Sequence, residues 1–114
     1  MIDYNKELVS ALSTILPTNH ELALTSKTNT PCISWQERNN ASSSLGTTRE
    51  YSTISYTVKV WGNDLEEIQK YALDIDRALR PLGFKRISSG ELYDLNSTMI
   101  QKILTYEALA LDVF

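Results

Sequence analysis

Residues 51–82, YSTISYTVKVWGNDLEEIQKYALDIDRALRPL, constrain the fold of this chain more than any other stretch. They begin with strict alternation. Ile54, Tyr56, Val58 and Val60 fall on one side of an extended chain, and Thr53, Ser55, Thr57 and Lys59 on the other. A two-residue period of this kind describes a strand packed on one face and wet, or reserved for a partner, on the other. After Trp61-Gly62-Asn63 the period changes. Leu65, Ile68, Ala72, Ile75 and Leu79 recur at steps of three and four, the stripe of a helix that lies on such a sheet. Asn63 is placed to cap that helix, and Glu66 three residues later to complete a capping box. The stretch reads as scaffold and carries no catalytic signature.

The flanking segments supply the other elements. Residues 2–16 predict a first helix with Tyr4, Leu8, Ala11, Leu12 and Ile15 on its apolar face, ended by Pro17. Thr18-Asn19 has turn chemistry, and residues 20–26 alternate as a short strand. Residues 27–30 form a turn, and a second strand follows Pro31 over residues 32–36. Residues 39–49, at the heart of the run RNNASSSLGTTR, hold one large apolar residue and no period, which predicts a flexible polar loop. Beyond the long helix, Gly83 suits a left-handed stop. A short strand spans residues 84–87, residues 88–90 and 94–97 bracket a loop or irregular hairpin, and a last strand takes residues 99–109. The expectation is a single α+β domain over residues 1–114. Its mostly antiparallel sheet carries two packed helices, in the order α-β-β-(long loop)-β-α-β-β.

Chemistry is sparse. His20 is the only histidine and Cys32 the only cysteine, so neither a Cys/His dyad with an evident orienting group nor a thiolate zinc site is legible. Cys32 beside Pro31 reads as a small buried hydrophobe. Asp74 and Asp76 lie two apart on a helix, do not share a face, and so do not chelate from it. The glycines open no phosphate-binding loop. Arg77, Arg80, Lys85 and Arg86 cluster near a helix carboxyl end, where cations are favoured without a ligand. The reading is therefore of a protein that is not an enzyme and takes no cofactor or metal. A formal net charge of −3 gives no general pull toward nucleic acid or anionic membrane, and direct nucleic-acid binding is not expected. The amino terminus lacks a basic stretch and cleavage site, and no run reaches the roughly 18 apolar residues of a membrane span.

Two features exceed what a plain domain needs. Trp61 falls on the Thr/Lys side of the long strand, away from the core side, and residues 109–114 stay apolar to Phe114. Surplus apolar surface beside a polar loop suits self-association. The alternative is a second sheet face covered by the first helix. Candidate subunit or partner contacts are Asn40, Ser43, Leu45, Thr47 and Arg49 in the loop, Trp61, and Leu111 and Phe114 in the tail.

The runs YTVKVWGNDLEEIQ from Tyr56, IDRALRPLGFKR from Ile75 and QKILTYEA from Gln101, with PCISWQE before the loop, resemble small tail-assembly proteins of siphophages and prophages of Gram-positive bacteria. These are similar to the tail terminator, or tail completion, proteins of long-tailed phages. The resemblance covers most of the chain from Pro31 onward and rests on element order and sequence style rather than on a catalytic motif. It implies a sheet flanked by two helices, assembled as a ring, typically a hexamer. Such a ring caps the head-proximal end of the tail tube, stops its polymerisation and offers a surface to the head connector. Its partners would be further copies of itself, the tail tube protein and the head-completion protein. Its place would be the virion, after assembly in the bacterial cytoplasm. Competing expectations are a head–tail joining or minor capsid protein of the same virion, a host module binding a small ligand or peptide on the Trp61 face, and, last, a small enzyme with a sheet-lined cleft.

Overall fold

The computed structural model describes residues 4–20, 30–44, 49–94 and 99–113. Helix α1 spans Tyr4–Ser13 and strand β1 Thr18–His20; β2 spans Cys32–Ser44 and β3 Arg49–Gly62. Helix α2 spans Leu65–Leu79 and continues as a 3₁₀ turn over Arg80–Leu82, before β4 (Lys85–Asp94) and β5 (Met99–Val113). The five strands form one sheet in the order β1-β2-β3-β5-β4. β1 runs parallel to β2, and every other pairing is antiparallel. This is the expected α+β architecture, with two helices on a mostly antiparallel sheet.

The alternation in residues 53–60 sets the layers. Ile54, Tyr56, Val58 and Val60 are buried, as are their register partners Ile33, Leu104, Tyr106 and Ala108. Leu8 and Leu12 of α1 and Ile68, Ala72, Ile75 and Leu79 of α2 join the same cluster. Both helices therefore lie on one face of the sheet, and the first helix is not the cover for the second face. Each fully buried Leu, Ile or Val here contributes about 1.5–3 kcal/mol of transfer free energy. At about 1.5 Å per residue α2 is roughly 22 Å long, whereas β5 at about 3.4 Å per residue runs to roughly 50 Å. A helix layer of that length cannot cover the sheet from end to end. The molecule is accordingly elongated, 54 × 24 × 21 Å.

Several local expectations are corrected. Thr18-Asn19 is strand, not turn. Pro17 O accepts from Ile33 N at 2.9 Å, so the chain leaves α1 directly into register with β2. Residues 21–29, on which most of the expected strand 20–26 and turn 27–30 fall, lie outside the described residues. The polar loop expected at 39–49 is largely a hairpin: residues Asn39 to Ser44 pair with Ser55 to Glu50, after a bulge at Arg38. Its serines and asparagines carry no hydrophobic period, so its strand state comes from the long neighbour β3 and is invisible in its own side chains. Residues 45–48 lie outside the described residues. Of the loop and the irregular hairpin left open after residue 87, the structure has the hairpin, bulged at Ile87, with residues 88–90 paired to β5, and β5 runs on to Val113.

Helix α2 starts one residue later than its expected cap. Asp64, not Asn63, is the N-cap, its Oδ1 accepting from Glu66 N at 3.1 Å and Glu67 N at 3.5 Å. Gly83 does adopt the left-handed conformation, φ 94°, and Phe84 N then donates back to Leu79 O at 3.2 Å. That turn drops Phe84 into the core beside Tyr56, ring centroids 5.8 Å apart.

Candidate contact surfaces

The sheet face away from the helices is built from the second half of the β3 alternation, and it is not bare: Thr57, Ser34 and Cys32 on it are buried, and Lys59 and Trp61 are half-buried. Thr57, Lys59 and Trp61 lie in register with Gln36, Ser34 and Cys32 on one side and with Thr105, Ile103 and Gln101 on the other. Trp61 is fixed rather than loose. Its Nε1 donates to Ser34 Oγ at 2.9 Å, and Lys59 Nζ sits 5.8 Å from the ring centroid, within cation–π range. Ser34 and Cys32 are fully buried at this end. Burial pushes the Cys32 thiol up from its ordinary pKa, which suits the inert reading. His20 is half-buried and stands edge-on to Trp35, centroids 4.8 Å apart.

Register places the other expected contact residues at the far end of the sheet. Ser43, Tyr51 and Leu111 occupy one rung across β2, β3 and β5, Arg49 faces Val113, and Asn40 shares a rung with Ile54 and Ala108. Leu45, Thr47 and Phe114 lie outside the described residues. The sheet thus gathers Asn40, Ser43, Arg49 and Leu111 near one end. It sets Trp61 ten residues away along β3 from Tyr51, roughly 33 Å. These are two surfaces, not one.

On the helix side a polar network replaces any metal reading of the two aspartates. The Tyr106 hydroxyl, on a residue 1% exposed, donates to Asp76 Oδ1, and Arg86 Nη1 reaches Asp76 Oδ2 at 2.9 Å. Burial and the neighbouring Asp76 push the Tyr106 phenol far above its ordinary value. Asp76 thus serves as a structural acceptor, and it claims one member of the arginine cluster. Leu73, Asp76, Arg77, Arg80, Pro81 and Arg86 line a cleft of about 450 Å³. Among the described residues, no three His, Cys, Asp or Glu side chains group as metal ligands, and no helix is long and apolar enough to cross a membrane.

The third surface escaped the sequence reading. β4 is the last strand of the sheet order, and Ile87, Leu92 and Tyr93 on it are 51, 56 and 55% exposed. Leu65 and Leu73, on the side of α2 toward β4, are exposed as well. Leu65, Glu91, Leu92, Tyr93 and Ile100 line a groove of about 390 Å³. Glu91 is held by Lys102 Nζ at 3.0 Å and by Gln69 Nε2 at 3.5 Å, and the Lys102 hydrogen bond leads in lowering its carboxyl pKa. The signal available in the sequence was Ile87, Leu92 and Tyr93 in a segment with too few core residues to bury them. Their type is apolar, but only the sheet order shows that they stand at an edge.

No protein-family model matches the sequence, and no curated protein matches it.

Proposed function

We propose that this chain is a structural protein of a long-tailed phage or prophage, a tail terminator that forms a ring on the head-proximal end of the tail tube. In this reading it is not an enzyme. Its work is to stop tube polymerisation and to present a surface to the head connector. The sequence runs from Tyr56, Ile75 and Gln101 resemble such proteins, and the fold class agrees with what that resemblance implies.

The observation that carries the reading is the length of the sheet relative to its helix layer. β2, β3 and β5 pair for several rungs beyond Ile54 and Ala108, the outermost core residues on β3 and β5 among those whose burial is described. The three-stranded extension and the half-buried Trp61 at the opposite end of β3 give two different patches about 33 Å apart along the strand. A ring is built from heterologous contacts of that kind, in which one patch meets a different patch on the next copy.

The test is deletion of the gene from its phage, with tail lengths measured by electron microscopy, and addition of the purified chain to polymerising tail tube protein. Overlong tails in the deletion and arrest of tube growth by the added chain are expected. Tails of normal length in the deletion, together with no effect on tube growth, would refute it.

A further inference from the structure

We infer that the β4 edge is a self-complementary interface that pairs two copies of this chain about a two-fold axis through Gly90. The inference concerns the isolated chain and stands apart from the ring reading. A sheet edge offers a row of backbone donors and acceptors to any strand that can approach it, and proteins commonly blunt such edges with proline, charge or a covering element. β4 has no proline, and no described element pairs with its outer side. It also carries three of the six exposed large apolar side chains among the described residues.

The occupant follows from register. Residues directly opposite in an antiparallel pair must lie on the same face of the sheet. Within β4, Arg86, Ser89, Glu91 and Tyr93 pair with Tyr106, Leu104, Lys102 and Ile100 and so share the helix face. Lys85, Ser88, Gly90, Leu92 and Asp94 share the other. Ile87 is the extra residue of a bulge between them. With Gly90 on the axis and the bulge stepped over, Ser89 faces Glu91, Ser88 faces Leu92, Arg86 faces Tyr93 and Lys85 faces position 94, each pair occurring twice. An arginine comes over an aromatic ring, a lysine comes into register with an aspartate, and no like charges meet. The bulged Ile87 lies beside Leu92 of the other copy.

The neighbouring register, with Ser89 on the axis, sets Lys85 against Leu92 and Arg86 against Glu91, two charges that already have partners within the chain. Gly90 on the axis instead puts the residue with no side chain where a strand meets its own copy, and interior glycine favours such close approach. Arg86 and Glu91 are already held within the chain by Asp76 and Lys102, and the charge complementarity of the edge in the antiparallel sense comes from Lys85 at one end of β4 in register with Asp94 at the other, twice. That charge pattern selects a second copy over an unrelated strand.

The test uses the full chain and leaves Cys32 in place, since it is buried. Light scattering on the purified protein over a concentration series is expected to give twice the chain mass. Leu92→Lys, at a position more than half exposed, is expected to halve that mass without loss of folding by circular dichroism. Gly90→Cys adds a side chain where nothing lies within 4 Å and, after mild oxidation, is expected to give a disulfide-linked dimer. Paired Cα atoms about 4.5–5.5 Å apart are within disulfide reach. Ser88→Cys is the control: its own copy sits about four residues along the pair, roughly 13 Å away, and no link is expected. A chain that is monomeric at all concentrations, or Ser88→Cys linking as readily as Gly90→Cys, overturns the inference. A Leu92→Lys protein that loses the dimer but still arrests tube growth leaves the ring reading intact. A Leu92→Lys protein that stays dimeric overturns the edge contact.

Discussion

Replacing Tyr106 with phenylalanine removes one hydroxyl from the network beneath α2, and its cost can be set against removal of the acceptor, Asp76. Tyr106→Phe deletes a hydrogen bond to a carboxylate, a class worth about 1.5–3 kcal/mol. The low end applies, because Asp76 keeps Arg86 at 2.9 Å and is not left bare. Asp76→Ala is different. It orphans a hydroxyl on a residue 1% exposed, about 1–3 kcal/mol, and frees an arginine whose side chain is 46% exposed. A pair with that much solvent adds only about 0–1 kcal/mol. The double variant has no orphan hydroxyl and should cost no more than Asp76→Ala alone. The expected coupling is therefore about 1–2 kcal/mol, read from urea unfolding of the four proteins with a common m-value. Additivity within about 0.5 kcal/mol would refute the claim that Tyr106 and Asp76 act as one unit.

Three further outcomes follow from single positions. The folded chain holds the Tyr106 proton more tightly than the unfolded chain, so this group's contribution is intact below about pH 10 and is lost as pH rises above it. Thermal melts from pH 8 to 11 should therefore fall less steeply for Tyr106→Phe than for the parent. Gly83→Ala meets no neighbour but forces a side chain onto φ 94°, and a loss of about 1 kcal/mol is expected in urea unfolding. Cys32 should resist a thiol-specific reagent in the native protein and react fully in denaturant; fast native labelling would contradict its burial.

The legible parts of this fold are those where one period runs unbroken. Residues 53–60 announced the core face of β3 correctly, because every second residue meets the core, but not the burial of Thr57 on the other face. The stripe from Ile68 to Leu79 announced the buried face of α2 for the same reason. What was misread lies where pairing partners, not side chains, decide the conformation. Asn39 to Ser44 look like loop in isolation and are strand because β3 continues beside them. Ser88 to Gly90 leave loop and irregular hairpin open in isolation and are strand because β5 pairs along them. Asp76 was weighed with Asp74 as a metal-binding pair and set aside because residues two apart on a helix do not share a face. Its partners Arg86 and Tyr106 stand 10 and 30 residues away, and no local pattern connects them. The β4 surface was missed because exposure at an edge is a property of sheet order.

The two kinds of contact proposed for this chain differ in symmetry, and the difference makes them separable. A self-complementary edge closes at two copies and leaves nothing to propagate, whereas a ring needs two unlike patches that meet in sequence. The β2–β3 hairpin end and the Trp61 end of β3 are unlike in composition and set apart along the same strand, so a copy can offer one to each of two neighbours. β4 lies one strand beyond β5 and takes no part in the hairpin extension. Shortening the hairpin by paired deletions within residues 40–44 and 49–54 should therefore impair tube capping while leaving the dimer mass unchanged. Leu92→Lys should do the reverse. If one change abolished both, the two surfaces would have to be a single interface, and the separation argued from the sheet order would be wrong.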